Sequence, residues 1–228
     1  MAATSELVRI PARRAVLDGI LDVPLGARGM VVFAHGSGSG RLSPRNQYVA
    51  GVLRETGLAT LLFDLLTPGE ERIDAATAHL RFNVPFLAER LLAGTTWVAE
   101  QAPRLSLGCF GASTGAAAAL VAAATRPDLI EAVVSRGGRP DLAGAALRRV
   151  RAPTLLIVGG RDWPVIEMNQ EALDALQTET ELVVVPGATH LFEEPGALER
   201  VAALARGWFR SRLSGADATE RQCGRGPS

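Results

Sequence analysis

Short apolar runs alternate along this chain with longer stretches in which apolar residues recur every three or four positions. That alternation is the pattern of a mainly parallel sheet wrapped by helices. Residues 6–10 and 14–23 read as two opening strands, joined as a hairpin at Arg13-Arg14. MVVFAH (30–35) is almost wholly apolar, as expected for a strand covered on both faces. A Gly/Ser loop follows, then a helix opened by Pro44, running to about Glu55 and ended by Gly57. LATLLFDLL (58–66) is the next strand. Residues 67–83 read as polar and irregular, with Pro68-Gly69 as a turn. A helix is expected over 84–101, a strand over 105–111, and an Ala-rich helix over 114–126 closed by Pro127. Then come a strand (130–138), a short helix (141–149) with Asp141 as N-cap, and a strand (153–160). A helix (164–178), a strand (180–187) and a closing helix (195–213) starting at Pro195 complete the pattern. The tail 214–228 has almost no apolar residues and is expected to be disordered, leaving 1–213 as one α/β domain. No internal repeat is visible.

Composition narrows the chemistry. Basic and acidic residues are both 24, so no basic excess points to nucleic acid or to an anionic membrane surface. All the basic residues are Arg, which excludes Schiff-base and P-loop lysine chemistry. Two cysteines, Cys109 in an apolar run and Cys223 in the polar tail, make a disulfide framework improbable. The N-terminus lacks a signal-peptide apolar core, and no apolar stretch reaches the ~18 residues of a membrane span. A cytoplasmic protein is expected.

Gly111-Ala112-Ser113-Thr114-Gly115 matches G-x-S-x-G. Here the serine sits on a sharp strand-to-helix turn that flanking side chains would obstruct. The pentapeptide alone is suggestive, since a strand–turn–helix with an N-cap serine reads similarly. The strand entering it and the Ala-rich helix leaving it strengthen the match. A serine hydroxyl needs a base oriented by a carboxylate, in the chain order Ser, Asp/Glu, His. Of the three histidines, His35, His79 and His190, only His190 follows Ser113. It lies beyond a strand's C-terminal end, where open α/β sheets assemble their sites. Asp162, just after another strand, is the expected acid; Asp141, better explained as a cap, is the runner-up. Glu193 and Glu194 read as surface residues. The oxyanion donors are expected to be the Thr114 N–H and the Ser37 N–H, with Gly38 second. His35 is expected to brace that loop. Arg136 and Arg81 are candidates to hold a substrate carboxylate, against an equally good reading as structural ion pairs. The histidines show no metal-ligand spacing.

FAHGSGSGRLSPRNQ, FGASTGAAAAL, VVSRGGRPDLAG, LLIVGGRDWPV and VVVPGATHLFEEPG together resemble the dienelactone hydrolase-like branch of the α/β hydrolases, over about 5–213. The resemblance implies a three-layer α/β-hydrolase fold, with helices on both faces of a mainly parallel sheet. It places a triad on Ser113, Asp162 and His190, agreeing with the order argument. Dienelactone hydrolases proper carry cysteine at the nucleophile, so Ser113 moves the expectation toward a general carboxylic-ester hydrolase. The short link between strands 130–138 and 153–160 leaves no room for a lid domain, so small, soluble esters are expected. No cofactor or metal is implied, and a monomer or homodimer is expected.

Three other readings stand. A dinucleotide fingerprint from Gly36, Gly38 and Gly40 fails at its third glycine, because Arg41 and Ser43 occupy the required positions. A non-catalytic binding protein on the same fold is compatible with sequence. An acyltransferase or lactone hydrolase would use the same triad.

Overall fold

The computed structural model describes residues 4–213. The expectation for the tail 214–228 lies outside them, as does Cys223. Eight strands form one sheet: β1 (Thr4–Ala12), β2 (Ala15–Val23), β3 (Gly29–Ala34), β4 (Leu58–Phe63), β5 (Ser106–Ala112), β6 (Ile130–Arg136), β7 (Thr154–Gly159) and β8 (Thr180–Val185). Their order is β1-β2-β4-β3-β5-β6-β7-β8. β1 and β2 pair antiparallel and β2 meets β4 antiparallel, while every later pair is parallel. The hairpin turns at Arg13-Arg14, as the pattern predicts, with Arg13 at φ 51°.

Among the described residues six α-helices alternate with these strands: α1 (Pro44–Arg54), α2 (Pro68–Thr77), α3 (Val84–Gln101), α4 (Thr114–Thr125), α5 (Trp163–Ala175) and α6 (Ala197–Arg212). The fully buried parallel strands send alternate residues to opposite faces. On β3, Met30, Val32 and Ala34 join a core built with α3 and α4. Val31 and Phe33 join a second core built with α1 and α6. Two apolar cores on one sheet make the three-layer architecture, and strand β5 runs through its centre.

Three local expectations are corrected. Residues 68–77 are helical rather than irregular: Thr67 and Glu70 form a reciprocal capping box and Pro68 takes the first position. The expected 141–149 helix is a 3-10 segment over Pro140–Arg149, and Asp141 does not cap it; its carboxylate pairs with the Arg139 guanidinium. The closing helix begins at Ala197, after Gly196 in the left-handed conformation, rather than at Pro195. The link 137–153 between β6 and β7 holds that 3-10 segment and no lid domain. Among the described residues no helix is long and apolar enough to cross a membrane.

Candidate active site

Ser113 joins β5 to α4 with φ 51° and ψ −121°. For a residue with a side chain this conformation is strained by roughly 1–3 kcal/mol and persists only where packing dictates it. The flanking glycines show how packing does so. A Cβ at Gly111 would fall 2.4 Å from the Ala116 Cα, and one at Gly115 would fall 2.2 Å from the Ala34 carbonyl oxygen. Only glycine lets α4 settle this closely on β5 and β3. Ser113 is further held by its N–H donating to the Arg136 carbonyl at 3.2 Å, and by its own carbonyl accepting from Arg139 at 3.1 Å. Its side chain makes no helix-capping hydrogen bond, which disposes of the N-cap alternative.

Asp162 ends the turn after β7 and occupies the N-cap position of α5, yet its carboxylate caps nothing. It accepts instead from His190 Nδ1 at 2.6 Å. That bond fixes the tautomer and leaves Nε2 as the ring's acceptor. Asp162 is buried more deeply than the half-exposed imidazole it holds. The His190 loop is braced locally, since the Thr189 N–H donates to the Glu194 carboxylate at 3.0 Å and the Arg161 N–H to the Ala188 carbonyl at 2.9 Å. Ser113 and His190 both lie near the C-terminal end of β6. A Cβ at Gly137 would stand 3.5 Å from His190 Cε1, one residue beyond the carbonyl that anchors Ser113.

The loop after β3 closes the other side. A Cβ at Gly36 would lie 3.0 Å from the Ser113 Cβ. The Ser37 and Thr114 hydroxyls are 3.2 Å apart. Thr114 opens α4, so its N–H has no acceptor within the helix. His35 braces the loop as expected: Nδ1 donates to the Gly36 carbonyl at 3.0 Å, and Nε2 accepts from the Leu65 N–H at 2.9 Å. Burial holds its pKa below the ordinary value of 6.5. Asp64, just after β4, is engaged by the Arg41 N–H at 2.7 Å and by the Arg41 guanidinium. A cleft of about 630 Å³ opens between this loop, Thr114 and α2.

The two candidate substrate arginines are not brought together. Arg81 lines the cleft, but its Nε donates to Asp74 at 2.7 Å, and Asp74 also accepts from the Leu80 and Arg81 N–H groups. Its structural reading stands. Arg136 is 7 % exposed, and no carboxylate pairs with it among the described residues. Asp141, bound to Arg139, is not the residue that holds His190. Sequence reading passed over Arg45 and the bracing role of Glu194. Arg45 carried a signal: a cation in the first turn of a helix opposes the helix dipole.

A profile of the Dienelactone hydrolase family matches residues 53–212. The crystal structure of a dienelactone hydrolase from Anabaena variabilis is 57 % identical, with a TM-score of 0.91, covering 93 % of this chain and all of that one. A lidless α/β serine hydrolase from Xanthomonas campestris, at 22 % identity and TM-score 0.76, covers 93 % and 97 % and shares the fold. A Mycobacterium tuberculosis protein named "Putative phosphoribosyl transferase" is 56 % identical over 225 residues, which are 98 % of this chain and 48 % of that protein. The chain thus spans about half the length of the curated relatives it matches. With the family profile covering most of its length and the sheet, glycines and turn of that fold in place, the chain belongs to the dienelactone hydrolase family.

Proposed function

We propose that the chain is a serine hydrolase of small, soluble carboxylic esters. The observations that carry this reading are the Asp162–His190 hydrogen bond and a serine held in strained backbone geometry. In this mechanism His190 Nε2 takes the Ser113 proton as the oxygen attacks the ester carbonyl. Asp162 holds the ring's orientation and stabilises the imidazolium that forms. The oxyanion lies between the Thr114 N–H, at the positive end of α4, and the Ser37 N–H. His190 then protonates the leaving alcohol. Water, activated by the same imidazole, hydrolyses the acyl-enzyme and returns the proton to Ser113. The open cleft and the absence of a lid domain favour short acyl groups.

The name carried by the tuberculosis relative is not extended to this chain, which matches only about half of that protein. Ser113, His190 and Asp162 support acyl chemistry rather than phosphoribosyl transfer. The test is covalent labelling by a fluorophosphonate, expected for the parent and lost in Ser113→Ala and His190→Ala. Labelling that survives Ser113→Ala overturns the assignment. A folded parent that stays unlabelled favours a binding protein on the same fold.

A further inference from the structure

The loop that carries His190 is confined from the inside by bare backbone and from the outside by a carboxylate. A Cβ at Gly159, at the end of β7, would stand 2.5 Å from the Thr189 carbonyl oxygen and 2.6 Å from that of Ala188. One at Gly137, just past β6, would stand 3.1 Å from the His190 carbonyl oxygen. Glycine at both positions lets the loop rest directly on the ends of two parallel strands, with no room to move further inward. Ala188 and Phe192, both buried, pin the ends of the span, and between them Thr189 and Leu191 are exposed. Toward solvent the Thr189 N–H donates to the Glu194 carboxylate at 3.0 Å.

Glu194 is itself fixed. Its carbonyl accepts at 3.0 Å from the N–H of Ala197, the buried first residue of α6, and α6 packs on the sheet through the second core. Phe192 turns the chain back toward Thr189. It adopts φ 56°, and its N–H donates to the Thr189 carbonyl at 3.2 Å. The Thr189 N–H and hydroxyl, with the positive charge of Arg161 on the turn after β7, hold the Glu194 carboxyl below its ordinary value of 4.5. The group is therefore ionised at neutral pH, and its bond to Thr189 is charge-assisted. The preceding residue behaves differently, since the Glu193 carboxylate meets Arg45 of α1 at 3.1 Å. Two adjacent glutamates on one loop thus serve different elements.

The Asp162 bond fixes one nitrogen of the imidazole, but the ring also moves with its backbone. We propose that Glu194 is a positioning residue for the general base: from the head of α6 its carboxylate holds Thr189 down on Gly159, and so sets where His190 Nε2 stands for proton transfer. This rests on the hydrolase reading above. The bond lies at the surface, so its loss costs the fold little. A displacement of about 1 Å in a catalytic group, by contrast, costs on the order of a hundredfold in rate.

The experiment measures hydrolysis of p-nitrophenyl butyrate by the parent, Glu194→Ala, Glu194→Gln and Glu193→Gln, with the Tm of each. Exchange of the Thr189 backbone amide is followed in parallel. Glu194→Ala is expected to lower kcat by roughly tenfold or more while KM stays within about twofold of the parent's. Glu194→Gln, whose side-chain carbonyl still accepts from the Thr189 N–H, is expected to keep most of the parent's kcat. Glu193→Gln is expected to leave it near the parent's. A folded Glu194→Ala with the parent's kcat overturns the proposal. So does an equal loss in Glu194→Gln or Glu193→Gln, or a change confined to KM. Should Glu194→Ala not fold, Glu194→Asp, one methylene shorter, gives the same reading: a lower kcat at unchanged KM supports the proposal, and an unchanged kcat overturns it. Thr189 exchange that quickens in Glu194→Ala, where the parent takes no fluorophosphonate label, leaves the brace but removes the hydrolase, and its catalytic consequence with it. A labelled parent with exchange unchanged in Glu194→Ala keeps the hydrolase and removes the brace.

Discussion

The two walls that flank Ser113 treat charge in opposite ways. On the β4–α2 side, Arg41 is matched by Asp64 and Arg81 by Asp74, and the paired groups also satisfy loop N–H groups. On the β6 side, Arg136 is buried with two nitrogens unpartnered, and its strongest electrostatic neighbour is a second arginine. Arginines of the same type, both near the candidate site, therefore do different work. A matched charge fixes a loop and is indifferent to ligand. An unmatched buried charge raises the energy of the folded protein.

The contrast can be broken most severely at the acid behind His190. Asp162→Asn is expected to lower kcat on any ester by roughly 10³–10⁴-fold, because the amide no longer fixes the imidazole in the working tautomer. Asp141→Asn, which touches only the Arg139 pair, should leave kcat close to the parent's; equal losses in both would refute the choice of acid. The matched wall is tested by Asp74→Ala. Losing the acceptor of two loop N–H groups and the Arg81 guanidinium should cost roughly 2 kcal/mol of stability in chemical denaturation, while kcat/KM on a small ester stays close to the parent's. A collapse of kcat/KM in the folded variant would show that Arg81 takes part in binding after all.

The smallest effect concerns pH. His35 is neutral in the folded protein because burial holds its pKa below 6.5, whereas the unfolded chain protonates it normally. The unfolded state therefore binds more protons as pH falls through that value, and stability declines with acidification. The Tm drop between pH 7.5 and 5.5 should be larger in the parent than in His35→Gln, with a limiting slope of about 1.4 kcal/mol per pH unit. Equal drops would remove His35 as the source.

Much of this was legible in the chain. The parallel strands declared themselves because a strand buried on both faces must be apolar throughout, as in MVVFA. G-x-S-x-G was readable because the elbow's demands are local: Gly111 and Gly115 exclude a Cβ from positions within two residues of Ser113. His190 followed from being the last histidine, at a strand end. Helix α2 was also written in the sequence, in Thr67-Pro68-Gly69-Glu70, but the Pro-Gly turn signal obscured the capping box.

What the sequence could not decide was which charges meet. Asp141 and Asp162 each follow a parallel strand and each stand at the start of a helical segment. Only the packing of the His190 loop against β7 sends Asp162 to the imidazole, while Arg139 claims Asp141. Likewise Arg81 and Arg136 are the same residue type at comparable removes from Ser113. Helix α2 delivers Asp74 to the first; the second, buried near Phe192 and under the field of Arg45, receives none among the described residues. Backbone geometry and apolar patterning act over a few residues and leave a linear record. Charge pairing acts through space between segments tens of residues apart, so it is settled only when the sheet and its loops close.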